Sequence, residues 1–269
     1  MPGRLQGKVA LVSGAARGQG RSHAVRLARE GADIIAFDVC RRLDTVPYPM
    51  ANSEDLEATA KLVKDLDRRI VTREADVRDS AAVQALIDVG VSEFGRLDVV
   101  CANADIIGFA ENTWTMTEAE WGEMIAVNLT GVWKTVKAAA PAMIEAGNGG
   151  SIVITSSAGD MKGVPGIAHY VAAKHSVVGL MRSLANELAP HSIRVNTVHP
   201  TGVNTPMTAN DVTMQAMSAA AELVNMLNAL PVEMVEPMDL SDAIVWLASE
   251  EARDVTGVSL PVNAGFVQW

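Results

Sequence analysis

Short apolar runs separated by longer helical segments limit what this chain can become more than any other feature. The runs lie at Val9 to Val12, Asp33 to Phe37, Ile70 to Ala75, Leu97 to Cys101, Ser151 to Thr155 and Ile193 to Val198. Each is too short for a buried helix and reads as a strand. Between them, Gly20 to Glu30, Ser53 to Asp67, Ser80 to Phe94, Glu118 to Glu145 and Ala168 to Leu188 carry apolar residues at helical spacing. Parallel strands need long right-handed crossovers, which helices supply, so the alternation predicts an α/β doubly wound parallel sheet with helices on both faces. With 269 residues, 49% of them hydrophobic, there is material for one well-buried core, and a single domain over 1–269 is expected. Two segments break the alternation, 39–52 with its Pro47-Tyr48-Pro49, and the stretch from Gly202 to Pro237. Both are expected to be excursions from the core.

Charge narrows the partners. A formal net charge of -10 with no Lys/Arg-rich tract repels phosphate backbones and anionic membrane surfaces, which argues against nucleic acid or a membrane as partner. Cys40 and Cys101 each end an apolar run and read as small buried hydrophobes, not disulfide halves. Together with a start that lacks the apolar core of a secretory signal, this predicts a cytoplasmic protein. The histidines His23, His169, His175, His191 and His199 have no zinc-like spacing, and no metal is assigned.

The first strand leads into Ser13-Gly14-Ala15-Ala16-Arg17-Gly18-Gln19-Gly20 and then directly into a helix. Glycines let such a loop turn tightly and approach a pyrophosphate, which meets the free N–H groups and positive dipole end of the helix. About 18 residues beyond Gly20 the second strand ends at Asp38. A carboxylate there accepts hydrogen bonds from ribose hydroxyls and repels a 2′-phosphate, which favours NAD. Arg17, Arg41 and Arg42 are the groups able to pair with that phosphate instead.

Tyr170 and Lys174 are four residues apart in a helical segment, so their side chains share a face. Taken alone, that pair also describes an ordinary packed or solvated helix face. Here the helix follows a strand ending in Ser156-Ser157, at the carboxyl edge of the sheet where ligands bind in open α/β folds. A neighbouring ammonium favours the phenolate, so Lys174 is expected to draw the Tyr170 phenol toward neutral pH.

With these residues in place, the chain resembles the short-chain dehydrogenase/reductase family from Lys8 to about Gly265. The resemblance implies a Rossmann-type fold and a nicotinamide-dependent alcohol dehydrogenase. It carries over a phosphate loop at Gly14, Arg17, Gly18, Gln19 and Gly20, and an adenine-side pair at Asp76 and Val77. It also implies an Asn-Ala-Gly element at Asn103 and Ala104, and a catalytic set of Asn128, Ser157, Tyr170 and Lys174. In that set Tyr170 is the general base in alcohol oxidation, Ser157 orients the substrate oxygen, Lys174 also holds the nicotinamide ribose, and Asn128 anchors a proton-relay water. The loop Pro200 to Thr205 resembles the family's nicotinamide-side loop, with backbone groups of Val203 and the hydroxyl of Thr205 toward the carboxamide. Without its three companions, Asn128 would read as a helix-interior polar residue satisfied by backbone.

A finer resemblance, to the mycofactocin-coupled subfamily that includes carveol dehydrogenases, rests on Asp38-Val39-Cys40, Asp44 to Pro49, Leu56-Glu57, Ser22-His23-Ala24 and His199-Pro200-Thr201. It implies that 39–52 is an insertion over the adenosine side, and that NAD is tightly held and reoxidised in place by a mycofactocin-type redox carrier. On the residues alone, a surface loop describes the insertion equally. The chain departs from the family at Asp105, where the Asn-Ala-Gly element has glycine. Aspartate tolerates left-handed backbone, and a tolerated backbone substitution is the expectation there.

Residues 202–238 fall where the family places its substrate lid. Met207, Met214, Met217, Met226, Met234 and Met238 lie in it, and from Val195 to Ala252 there is no Lys or Arg against eight acidic residues. Thioethers suit an adaptable apolar pocket, although they also simply pack helices, and the missing cations leave no clamp for an anionic substrate. A neutral, lipophilic secondary alcohol or ketone, terpenoid or steroid, is the expected substrate. The rival readings are an NADPH-dependent ketoreductase and a non-catalytic dinucleotide-binding sensor or assembly subunit on the same fold. Family members form homotetramers through segments matching 128–144, 168–188 and the C-terminus, where Trp269 would suit an interface.

Overall fold

A computed structural model describes residues 3–268; Trp269 lies outside the described residues. Seven parallel strands form one sheet in the order β3-β2-β1-β4-β5-β6-β7. The strands are β1 (Val9–Ser13), β2 (Asp33–Asp38), β3 (Ile70–Glu74), β4 (Val99–Ala102), β5 (Gly150–Thr155), β6 (Ile193–Pro200) and β7 (Ser259–Val262). The helices are α1 (Gly18–Arg29), α2 (Ser53–Lys64), α3 (Ser80–Phe94), α4 (Glu118–Ile125), α5 (Val132–Ala146), α6 (Ala168–Leu188), α7 (Asp211–Ala221) and α8 (Pro237–Ala248). The doubly wound expectation is met, with β7 and α8 added to it.

Strand geometry explains the two layers. Successive side chains point to opposite faces. Thus Leu11, Ile35, Phe37, Ile152 and Ile154 pack with residues of α3, α5 and α6. Ala10, Val12, Ile34, Ala36 and Val153 pack against α1 and α8. The strand order reverses between β1 and β4, so the loops leaving their carboxyl ends diverge and open a crevice. Helix starts follow local chemistry: Asn52 with Asp55, and Thr117 with Glu120, form reciprocal capping boxes.

The expected single helix over 118–145 is interrupted. A π-helical turn, Ala126–Gly131, separates α4 from α5. The segment 39–52 also departs from expectation, because it is no excursion from the core. Leu43, Val46 and Tyr48 are 4%, 1% and 4% exposed and belong to the main hydrophobic cluster. The strap is tied down by Thr45 on Glu123, by the Ile107 N–H on the Tyr48 hydroxyl at 3.2 Å, and by Arg17 on the Pro49 carbonyl. Residues 202–238 do leave the sheet. Their ends are clasped by Asn204 N–H on Val235 O and Val235 N–H on Gly202 O, both 2.9 Å.

His23 on α1 is fully buried and shares a 2.8 Å hydrogen bond with Ser241 of α8, so it joins those two helices. Burial pushes its imidazole down to about 3. A folded-state value below the unfolded one gives stability that is complete above about 6.5 and lost as pH falls toward 3. We predict that stability falls by on the order of 1 kcal/mol per pH unit in that window from this group alone. His23→Gln should show a shallower acid limb in urea unfolding at pH 7, 5.5 and 4; parallel limbs would refute the assignment.

Candidate active site

The phosphate loop is shaped by close packing. Gly14 has φ of +67°, and a Cβ there would sit 2.8 Å from the Ala104 Cα. A Cβ on Gly20 would meet the Gly14 carbonyl oxygen at 2.0 Å. Only glycine permits that turn at those positions. The loop is pinned from the β4 side, where the Asn103 and Ala104 N–H groups donate to the Ser13 hydroxyl at 2.9 and 3.0 Å. The N-terminus of α1 has no side-chain cap and no acid in its first turn, and its free donors face the crevice.

One cleft at this edge is lined by Gly14, Arg17, Gly18, Gln19 and Gly20, and by Asp38, Asp76, Val77, Asn103, Ala104 and Thr205. Tyr48, Met50 and Ala51 of the strap form part of its wall, a contribution that the irregular spacing of 39–52 conceals. Asp38 accepts from the Ala16 N–H at 3.0 Å. Burial raises its carboxyl from the usual value, against the pull of backbone N–H donors. Asp76 is held below the usual carboxylate range: burial opposes this, but the Arg78 and Arg41 guanidinium groups outweigh it. Arg41 is therefore already paired with Asp76 at 2.8 Å, and Arg17 with Pro49. A buried Gln19 Oε1 and a buried Asp105 Oδ1 facing the clefts have no partner in the protein. An uncapped helix end, a carboxylate at the end of β2 and orphaned polar atoms together fit a dinucleotide.

A second cleft, about 1190 Å³ out to its open mouth, adjoins the first. Ser157 and Tyr170 are in its wall, with Val203, Thr205, Ile107, Val164, Ile167 and Phe266. Five of the six methionines between 202 and 238 line it, and Met238 does not; it belongs to α8. Among the described residues no Lys or Arg lines it. Ser157 precedes a short 3-10 turn, and its hydroxyl accepts from the Gly159 N–H at 3.0 Å and bonds the Tyr170 phenol.

Lys174 is buried on α6 and donates to the Thr155 carbonyl at 2.9 Å. Its ammonium also lies 2.9 Å from Asp105 Oδ2. The phenol is thereby changed from expectation. Burial first, and the Asp105 charge second, push Tyr170 well above its ordinary value, so Lys174 does not draw it toward neutrality in the free protein. The backbone expected at Asp105 is also not found. Among the described residues the non-glycine positions at positive φ are Cys40, Asp67, Ser192 and Ala264.

Asn128 sits in the π turn and spends its side chain on Ile106, accepting from its N–H at 3.0 Å and donating to its carbonyl at 2.8 Å. The structure thus joins Ser157, Tyr170 and Lys174, while the Asn128 side chain fastens the loop after β4. Sequence reasoning missed the support beneath Ser157. His199 bonds Asp160 at 2.8 Å and Thr197 at 2.7 Å, and Asp160 accepts from Ser156, so β6 braces the serine turn. Burial raises both thiols, Cys40 and Cys101, to about 12, which disfavours the thiolate at neutral pH.

A sequence profile described as Enoyl-(Acyl carrier protein) reductase matches residues 14–267. A putative short-chain type dehydrogenase/reductase of Mycolicibacterium smegmatis is 55% identical over 98% of this chain and 99% of its own. The chain belongs to the short-chain dehydrogenase/reductase family. Within that family it is similar to a (-)-trans-carveol dehydrogenase of Rhodococcus erythropolis, 49% identical over 97% of this chain and 98% of the other. The crystal structure of a carveol dehydrogenase from Mycobacterium avium in complex with NAD superposes with a TM-score of 0.95. It is 52% identical and covers 99% of this chain and 100% of that one. No described helix is long and apolar enough to cross a membrane.

Proposed function

We propose that this protein is an NAD-dependent alcohol dehydrogenase acting on a neutral, lipophilic secondary alcohol or its ketone, of terpenoid or steroid size. The observation that carries the reading is the meeting of Ser157, Tyr170 and Lys174 beside a methionine-lined cleft that holds no cation. The likeness to carveol dehydrogenases supports the same substrate class.

The glycine loop and the α1 N-terminus would hold the pyrophosphate of NAD, Asp38 the adenosine ribose, Asp76 and Val77 the adenine side, and Lys174 the nicotinamide ribose. Asn103 and Ala104 keep the loop against Ser13. Val203 and Thr205 would meet the carboxamide. Bound NAD supplies the hydride acceptor. In oxidation Ser157 holds the substrate oxygen and Tyr170 takes its proton; in reduction Tyr170 returns it. Asn128 contributes through the placement of the Ile106 loop, and a relay water would fall to its main-chain groups.

Anionic acyl-carrier and coenzyme A thioesters suit this lid poorly, despite the description of the family profile, because no Lys or Arg in its wall pairs with phosphate. A panel with NAD should show kcat/KM higher for neutral terpenoid or steroid alcohols than for a 3-hydroxyacyl coenzyme A by at least about 10-fold, the size of one lost charge-assisted contact. Preference for the coenzyme A ester would refute the substrate class.

The NADPH-dependent ketoreductase is the weaker reading, since Arg17 and Arg41 are committed to Pro49 and Asp76. The buried strap over the adenosine-side cleft supports a retained NAD recycled by a mycofactocin-type carrier, and exposed Trp121, Trp133 and Ile144 on α4 and α5 support a homotetramer. A cytoplasmic setting goes with this reading. Native mass spectrometry tests the first two together: nucleotide-free monomers would refute both.

A further inference from the structure

Position 105 carries a carboxylate where the family element has glycine, and it engages both residues of the proton-transfer pair. Asp105 Oδ2 lies 2.9 Å from Lys174 Nζ and accepts a 3.3 Å hydrogen bond from the Tyr170 hydroxyl. The other oxygen, Oδ1, is buried and bonded to nothing. The side chain is 11% exposed and stands at the seam where the cofactor cleft and the substrate cleft meet, lining both.

Electrostatics decide what such a group does. Lys174 Nζ is 5.3 Å from the centre of the Tyr170 ring, whereas the opposite charge of Asp105 is in direct contact with it. Burial raises the Asp105 carboxyl and the Lys174 ammonium opposes that rise, and the contact pair they form offsets much of the field that the ammonium would exert on the phenol. The other groups facing that phenol are the Ser157 hydroxyl from the loop after β5 and the Tyr48 phenol from the strap after β2. Neither brings a full charge, so the balance at Tyr170 is set between Lys174 and Asp105. Burial and Asp105 together hold the phenol protonated well beyond its ordinary range.

We infer that Asp105 is a positioning residue that captures the Lys174 ammonium and shares it with Tyr170, making the family's Tyr–Lys pair a Tyr–Lys–Asp triad in this chain. Only its catalytic consequence rests on Tyr170 being the proton-transfer group, as proposed above. In alcohol oxidation the substrate O–H bond breaks and its proton goes to the phenolate oxygen, while the hydride goes to NAD. In reduction the phenol O–H bond breaks and the proton goes to the nascent alkoxide. A carboxylate that disfavours the phenolate moves oxidation to higher pH and leaves the protonated phenol available for reduction at neutral pH.

The chain has two tyrosines, Tyr48 and Tyr170, so in a Tyr48→Phe background the near-ultraviolet phenolate band reads Tyr170 alone. The titration is done on nucleotide-free protein, comparing that background with the added changes Asp105→Asn and Asp105→Gly. The first keeps the shape, and the second restores the family's own residue, which guards against a folding failure in either. The Tyr170 midpoint should fall by about 1–3 pH units in both variants. Circular dichroism on the same samples marks the pH at which the fold is lost. A Tyr170 transition below that point in the variants and none in the Asp105 background is the same result. Superimposable curves overturn the triad. The pH dependence of kcat/KM for alcohol oxidation, measured in the Tyr48-containing protein, separates this inference from the functional one. A shifted titration with an unmoved kinetic limb upholds the triad and removes Tyr170 from proton transfer, whereas limbs that move with the titration uphold both.

Discussion

Replacing Tyr170 by phenylalanine should lower kcat/KM for oxidation of a neutral secondary alcohol by about 10²–10⁴-fold, the usual worth of a positioned acid–base group. The change removes one hydroxyl and keeps a ring that is 9% exposed and packed in the main cluster. Its hydrogen bond to Asp105 is long, 3.3 Å, and Asp105 Oδ2 retains Lys174 at 2.9 Å when the hydroxyl is gone. The hydroxyl also bonds Ser157, and its acceptor Asp105 is a carboxylate, so stability should fall by no more than about 3 kcal/mol, the upper worth of a hydrogen bond to a charged group. The loss should fall on kcat more than on KM, because proton transfer develops on the way to the transition state. Calorimetric titration should find NAD binding within a few-fold of the parent. A variant that keeps more than one-tenth of the parent kcat/KM would remove Tyr170 from the chemistry. A parent that binds NAD but turns over no alcohol, with Tyr170→Phe indistinguishable from it, would favour the sensor.

Much of this arrangement is legible in the residues themselves, and the failures have physical causes. Six strands read clearly because strands buried on both faces become continuous apolar runs. β7 escaped notice because Ser259–Val262 holds a proline and lies half-exposed at the sheet edge, where neither feature reads as a core strand. α8 begins with proline at its first position straight after the irregular stretch from Gly202, so its Leu240, Ile244 and Val245 stripe follows no visible helix start in the sequence. The strap failed for a different reason. Leu43, Val46 and Tyr48 have neither strand nor helix period, and a turn at Asp44-Thr45 and a bend at Tyr48 carry them into the core. The phosphate loop, Asp38, Ser157, Tyr170 and Lys174 were singled out by spacing, context and resemblance, and the structure brings them to one edge of the sheet. The Asp105–Lys174 contact joins the loop after β4 to α6 across 69 positions, a distance no local pattern encodes. The His199–Asp160 brace was hidden likewise, since its members lie on different strands' exits.

Asp38 governs the other large effect expected, cofactor choice. It stands at the end of β2, lines the cleft, and already orders its surroundings by accepting from Ala16 N–H at 3.0 Å and Cys40 N–H at 3.4 Å. A carboxylate has acceptor capacity for ribose hydroxyls beyond those two bonds. A 2′-phosphate would bring a dianion against it, and two of the three arginines able to offset that repulsion are held elsewhere, Arg17 by the Pro49 carbonyl and Arg41 by Asp76, while Arg42 is exposed and does not line the cleft. Hydrogen bonds to a charged group contribute about 1.5–3 kcal/mol, so Asp38→Ser should weaken NAD binding roughly 10- to 150-fold. Serine can still accept from Ala16, which keeps the loop in place and confines the loss to the ribose. NADP should gain from the lost repulsion, but only a few-fold, because Arg17 must leave Pro49 before it can pair with the phosphate. Adding Pro49→Ala should not reproduce that gain, since the bond is to a main-chain oxygen. Isothermal titration of both nucleotides into parent and Asp38→Ser protein decides the matter: an unchanged NAD affinity, or a parent that already binds NADP as tightly as NAD, would refute the role given to Asp38.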